Sequence, residues 1–288
     1  MSVLLNRSTK VIVQGITGTE AQYHTRDMMN YGTNIVAGVV PGKGGEWVID
    51  EKIPVFDTML TAVEATEANT SIIFVPSRRA VDSMIEAADS GVELVVCITD
   101  GIPVHDVSKV CQYFKMKGVR LVGPNCSGII TPGEQKVGLI PSGDVIPGNI
   151  GIVSRSATLS CLFMRQLKEA GMGVSTCVGI GGDMINGTSL VDVLELFESD
   201  PNTDKVLLIG ETGGLEEERA AKYAAYKMSK PVTAFIAGTS IPEGVRITRT
   251  GSMTENGLGM AKAKIDAFLD CGLRATNDFT KVTELLRD

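Results

Sequence analysis

The sequence predicts a doubly wound α/β protein in two domains. Short apolar runs rich in β-branched residues recur along the chain, each bounded by turn residues and followed by a helical stretch. The alternation is interrupted by a turn-rich stretch, Thr131-Pro-Gly, Pro141-Ser-Gly and Pro147-Gly-Asn, and then restarts. The length of 288 residues suits two domains at roughly 150 residues each.

In the first half, strands are expected at 10–14, 34–40, 71–75 and 93–98, with a fifth opening at 120–122. Helices are expected at 20–31, 79–90 and 107–117. Continuous apolar strands with crossover helices are the mark of a buried parallel sheet, so this half reads as Rossmann-like. The boundary is placed near Gly148, giving domains 1–147 and 148–288. Beyond it, strands are expected at 150–153, 173–178, 205–209 and 232–237. Helices are expected at 158–170, 190–197, 216–228, 261–269 and 281–286, a flavodoxin-like order.

Composition narrows the function. Asp plus Glu number 34 against 27 Lys plus Arg, a net charge of −7, which argues against a nucleic-acid partner. No run of 18 apolar residues exists, so no membrane span is expected. The first residues lack the charged head and apolar core of a secretory signal. The six cysteines are scattered with no Cys-x-x-Cys pair, which argues against a metal site and a disulfide framework and for a reducing, cytoplasmic setting. Only two histidines occur, His24 and His105.

Five strand-end segments could carry chemistry. Gln14-Gly-Ile-Thr-Gly-Thr19 would bring backbone and a helix N-terminus up to a phosphate, although a tight strand-to-helix turn reads the same way. Pro41-Gly-Lys-Gly-Gly45 places Lys43 where an NAD-binding domain usually has an acidic residue, which disfavours NAD; a mobile loop with a solvated lysine is the alternative. Gly123-Pro-Asn-Cys-Ser-Gly128 puts Cys126 at a strand end, where a buried structural cysteine is the commoner case. Ser154-Arg-Ser-Ala-Thr158 offers Ser154, Ser156 and Thr158 to an anion, or simply caps a helix. Gly210-Glu-Thr-Gly-Gly214 sets Glu211 among glycines, to orient a cationic partner or to face water.

Together with Thr99-Asp-Gly-Ile-Pro103 and Gly179-Ile-Gly-Gly-Asp183, and in this order, these segments resemble the α subunit of succinyl-CoA synthetase and its relatives malate–CoA ligase and ATP-citrate lyase, over essentially the whole chain. The resemblance implies an N-terminal Rossmann-like CoA-binding domain and a C-terminal flavodoxin-like ligase domain. It implies a β-type ATP-grasp partner carrying ATP or GTP with Mg, and a small carboxylic acid as substrate. Coenzyme A would be held by Thr17, Gly18, Thr19, Glu20 and Lys43, with Ile98, Thr99 and Asp100 at the fourth strand end and Asn125 and Cys126 near the thiol. Ser154, Ser156 and the residue at Cys161 would face phosphate and substrate, and Glu211 would partner a phosphohistidine.

The chain departs from that pattern. Glu20 stands where Gln is frequent, Ala157 replaces a glycine of the phosphate loop, and Cys161 replaces a tyrosine. At the phosphohistidine position stands Arg249, and no histidine follows His105. Arginine stays protonated and has no lone pair for phosphoryl transfer, but its fork can clamp a phosphate or carboxylate. Three functions therefore remain open. One is an acyl-CoA ligase subunit without the histidine relay, with Arg249 clamping and Glu211 orienting an activated acid. The second is CoA transfer or thioester lysis, with Glu211 or a helix-stabilised Cys161 thiolate as nucleophile. The third is a non-catalytic subunit that senses CoA or an acyl-CoA.

Overall fold

The computed structural model describes residues 3–241 and 259–287. The first half runs β1 (Val11–Gln14), α1 (Thr19–Tyr31), β2 (Ile35–Val39), β3 (Trp47–Val48), β4 (Ile53–Phe56), α2 (Met59–Thr66), β5 (Thr70–Ile73), α3 (Ser77–Asp89), β6 (Leu94–Cys97), α4 (Val104–Lys117) and β7 (Arg120–Val122). The second half runs β8 (Gly128–Thr131), β9 (Gln135–Gly138), β10 (Pro147–Ser154), α5 (Ala157–Glu169), β11 (Val174–Gly179), α6 (Leu190–Ser199), β12 (Lys205–Glu211), α7 (Glu216–Lys227), β13 (Val232–Ala237), α8 (Ala261–Asp270), β14 (Arg274–Thr276) and α9 (Val282–Arg287).

These elements form two sheets, ordered β3-β4-β2-β1-β5-β6-β7 and β14-β13-β12-β10-β11-β8-β9. The central strands are parallel, and β1, β5 and β6 are buried along their whole length. That is why they read as largely apolar runs; the polar exceptions, Gln14, Thr70 and Ser71, are buried too, and Ser71 Oγ donates to Gln14 Oε1 at 2.9 Å. Glycines in left-handed conformation stop α1 at Gly32 and α4 at Gly118. Ser189 and Asp192 start α6 with a reciprocal capping box. One core cluster runs from Val11 and Val13 in the first sheet through Ile129 and Val137 to Val153 and Leu208 in the second.

Several elements differ from the expectation. Strands β3 and β4, at one side of the first sheet, are absent from the expectation: β3 has only two residues, and Pro54 interrupts the short apolar run of β4. The hairpin β8–β9 lies N-terminal of the expected boundary at Gly148, yet β8 pairs antiparallel with β11 of the second sheet. Its sequence hides it, because Gln135 and Lys136 are polar but buried. They are buried because the hairpin docks on α1. Lys136 forms an ion pair with Asp27, Thr33 Oγ1 donates to the Lys136 carbonyl at 2.6 Å, and Gln135 Nε2 donates to the Thr9 carbonyl at 3.0 Å.

Each sheet has one place where the strand order reverses. In the first, the chain leaves β1 towards β2 and returns to β5 on its other side; in the second, β10 lies between β11 and β12. Ligands of open α/β sheets bind at such strand ends. At the first, Ile16 of the β1–α1 turn lies on Gly38 of β2 so closely that a Cβ there would fall 2.2 Å from Ile16 Cγ2. Gly38→Ala is therefore expected to cost about 1–3 kcal/mol by overpacking and to displace the turn, measurable as a lower urea midpoint.

Candidate functional site

A cleft of about 850 Å³ opens at the carboxyl ends of β1, β2 and β5. Thr17, Gly18, Thr19 and Glu20 form one wall, Val39, Val40 and Pro41 another, and Phe74, Val75 and Arg79 a third. Gly15 has φ +82°, and a Cβ there would press on Val75. Gly18 caps α1 without a side-chain hydrogen bond, which leaves the first-turn N–H groups facing the cleft as an anion cradle. The space and the cradle fit a nucleotide with a pyrophosphate.

Glu20 is exposed at the mouth, 3.9 Å from His24 Nε2. His24 is stacked on Phe74, with its pKa pushed down chiefly by burial and then by Lys136, against the opposing pull of Glu20 and Asp27. So Glu20 is not balanced by a permanent cation. Lys43 lies on the neighbouring loop, 3.9 Å from Glu46, and does not line the cleft. That loop is shaped by Asp57, absent from the sequence reading, which accepts the N–H groups of Gly42 at 2.7 Å and Gly44 at 2.9 Å.

Ile98, Thr99, Asp100, Asn125 and Cys126 also do not line that cleft. They gather at the neighbouring ends of β6 and β7. Thr99 Oγ1 donates to the Val75 carbonyl at 2.6 Å, and the Asn125 N–H donates to the Thr99 carbonyl at 3.0 Å. Asn125, in left-handed conformation, donates from Nδ2 to Asp183 Oδ1 at 2.9 Å and so ties the two halves together. Cys126 is buried, with Sγ 3.2 Å from the Cys97 carbonyl, and burial holds its thiol far above the ordinary range. Its thiol is packed inside the protein and not presented to solvent.

The second strand-end site gathers Ser154, Ser156 and Glu211. Ser154 Oγ donates to the Ser156 carbonyl at 2.9 Å and accepts the Ser156 N–H at 3.0 Å. Ser156 caps α5, accepting the Leu159 N–H. The loop is thus closed on itself, with its hydroxyls already engaged. Between the serines, Arg155 turns inward. Its guanidinium donates to the carbonyls of Gly213 at 3.1 Å and Gly182 at 3.4 Å and to Glu217 Oε1 at 3.4 Å. Glu217 is fully buried, is also paired with fully buried Lys264, and accepts the Glu211 N–H at 3.1 Å. Burial raises the Glu211 carboxyl pKa; Arg155 and Lys264 pull it down, while Glu217 pushes it up.

Arg155, Glu217 and Lys264 were missed as a unit because they lie far apart in sequence; only their burial marks them. Residues flanking the undescribed stretch 242–258 also meet this loop. The Gly213 N–H donates to the Gly259 carbonyl at 2.7 Å, and Gly238 packs against Thr212 and Ile241. Arg249 lies outside the described residues.

Cys161 lines a separate cleft of about 340 Å³ with Asp144 and Arg165, which are joined by two hydrogen bonds of 3.1 Å. The expected thiolate is not supported. Cys161 is half-buried in the second turn of α5, and burial followed by the Asp144 carboxylate pushes its thiol pKa up. Among the described residues there is no cluster of three or more metal-ligating side chains, and no helix is long and apolar enough to cross a membrane.

Removing the ammonium with Lys264→Met leaves Glu217 under-compensated, so a loss of about 3–5 kcal/mol is expected in urea unfolding. Glu211 makes a second prediction. With its folded pKa raised, its support for folding is complete below the ordinary glutamate value and is lost as pH rises through the raised one. Glu211→Gln, fixed in the neutral form, should therefore raise the melting temperature at about pH 8 and leave it unchanged at about pH 3.5; equal gains at both would contradict this origin.

The chain resembles known proteins along its length. The family model described as a CoA binding domain matches residues 6–101, and that described as CoA-ligase matches residues 153–273. The succinate–CoA ligase [ADP-forming] subunit alpha 2 of Archaeoglobus fulgidus is 48% identical over 288 residues, covering 100% of this chain and 99% of that protein. The corresponding alpha subunit of Aquifex aeolicus is 50% identical over 286 residues, covering 99% and 93%. The structure of ATP citrate lyase from Methanothrix soehngenii, in complex with citrate and coenzyme A, superposes with a TM-score of 0.89 at 24% identity. It covers 99% of this chain and 50% of that one, a likeness of fold alone. Two strand-end sites in one order, and near-half identity along the full length, place this chain in the succinate–CoA ligase α-subunit family.

Proposed function

We propose that this chain is the CoA-binding α-type subunit of an acyl-CoA synthetase, joining a small carboxylic acid to CoA at the expense of a nucleoside triphosphate. The observation that carries this reading is the cleft at the uncapped N-terminus of α1, within the part of the chain matched by the CoA binding domain. Thr17 and Thr19 offer backbone N–H groups to the pyrophosphate, Gly18 lets the backbone approach it while its own N–H is held by the Gly15 carbonyl at 3.0 Å, and Lys43 adds positive charge from the adjoining loop. Asn125, tied to Asp183, marks the route from that cleft to the second site. A β-type ATP-grasp subunit would supply the ATP or GTP with Mg, as the relatives' designation as ADP-forming alpha subunits suggests. Six free cysteines suit a cytoplasmic setting.

The second site would handle the activated acid. Ser154 and Ser156 at the start of α5 present a helix N-terminus to a phosphate or carboxylate, and Glu211 orients it. In this reading Arg249 clamps the same anion, in place of a histidine that would carry the phosphoryl group. An acid activated on the partner subunit then needs only to be held and presented to the thiol of CoA. Thioester chemistry through Cys161 is disfavoured by the raised pKa of its thiol.

The test uses this chain with the partner that copurifies. Incubation with Mg-ATP, CoA and a panel of dicarboxylic and hydroxy acids should give one acyl-CoA, detected by mass spectrometry, and Arg249→Ala should reduce its formation roughly 100-fold or more, as loss of a charged clamp on a reacting group does. Tight CoA binding without product across the panel would replace this reading with a CoA-sensing subunit. Unchanged turnover in Arg249→Ala would remove the clamp while leaving the ligase.

A further inference from the structure

The charges around the first cleft are unevenly matched to the ligand proposed for it. Three carboxylates, Glu20, Asp82 and Glu86, line the cleft, and one cation, Arg79. Glu86 is partly engaged, accepting the Met59 N–H at 2.9 Å. Arg79 lies in the first turn of α3 and is exposed, and among the described residues its guanidinium takes part in no hydrogen bond or ion pair. An arginine without a partner beside two carboxylates on its own helix is a donor fork held ready for an anion.

Coenzyme A carries two separate anionic groups, a pyrophosphate and a ribose 3′-phosphate, the latter a monoester close to dianionic at neutral pH. The first turn of α1 accommodates one such group, since its free N–H donors converge on a single place. The other group needs a second cation. Lys43 stands beyond β2, beside Glu46 and outside the cleft lining. Arg79 stands beyond β5, on the other side of β1, and faces the cleft directly.

We propose that Arg79 binds the 3′-phosphate of CoA and sets the preference of this chain for CoA over 3′-dephospho-CoA. The assignment rests on the CoA-binding reading above and adds to it the residue that recognises the monoester. Neither nucleotide is consumed in the binding step, so the preference is an equilibrium quantity. The nearby carboxylates oppose it: they repel the monoester, which dephospho-CoA lacks, so the preference depends on the fork of Arg79.

Isothermal titration of CoA and of 3′-dephospho-CoA into the copurified complex tests this. The unaltered complex should bind CoA roughly tenfold or more tightly than dephospho-CoA, the scale of a charge-assisted hydrogen-bond pair. Arg79→Gln should weaken CoA until its affinity equals or falls below that of dephospho-CoA, with the dephospho-CoA affinity unmoved. Arg79→Lys should recover part of the preference, because charge returns without the fork. A preference that persists in Arg79→Gln and disappears in Lys43→Gln overturns the assignment. An unaltered complex that binds neither nucleotide overturns the CoA reading itself, and the assignment with it. Arg79 is exposed, so circular dichroism of Arg79→Gln should match the parent.

Discussion

Glu217 is a fully buried carboxylate, and the second site is arranged around its neutralisation. An unpaired charge at that depth would cost several kcal/mol, so Arg155 from the β10 end and Lys264 from α8 are drawn in beside it. Each then spends its remaining donors on loop carbonyls, Arg155 on Gly182 and Gly213 and Lys264 on Gly213. Glu217 in turn accepts the N–H of Glu211. The ends of β10 and β12, the loop after β11, and helices α7 and α8 are thereby tied at one point. The position of Glu211 is a consequence of that knot.

The first site rests on a different constraint, the close packing of neighbouring residues against bare glycine backbone. Gly15 and Gly38 allow the β1–α1 turn to settle on β2 and β5, and Gly18 starts α1 with no side chain across its end. Where the second site is held by charge, the first is held by missing side chains. This suits what each would do: a long polyanion needs bare N–H donors and room, whereas an activated acid needs a few polar groups in fixed places. Asn125, bonded to Asp183, joins the two.

Much of this was legible beforehand. The apolar runs at β1, β5 and β6 announced themselves because strands covered on both faces admit few polar residues, and those hydrogen-bonded, as Ser71 is to Gln14. The Gln14–Thr19 and Gly210–Gly214 segments stood out because their glycines cluster at strand ends, although a tight turn alone would read the same way. The edges were harder to read. β3 has only two residues, and the short apolar run of β4 is broken by Pro54. The β8–β9 hairpin contains buried Lys136, whose burial depends on Asp27, more than a hundred residues away.

The sequence by itself determined the class of fold, the family, the glycine-rich turns at the strand ends, and the absence of any histidine after His105. These are properties of local composition and order, which survive without knowing what folds against what. Only the tertiary structure decided that Cys126 is packed away, that the Cys161 thiol is disfavoured as a thiolate, and that Arg155 turns inward to Glu217 while Arg79 remains open to the cleft. Whether a charged or sulfur-bearing side chain is a structural tie or a waiting contact depends on burial and on partners distant in the chain, and neither can be read from its neighbours in sequence.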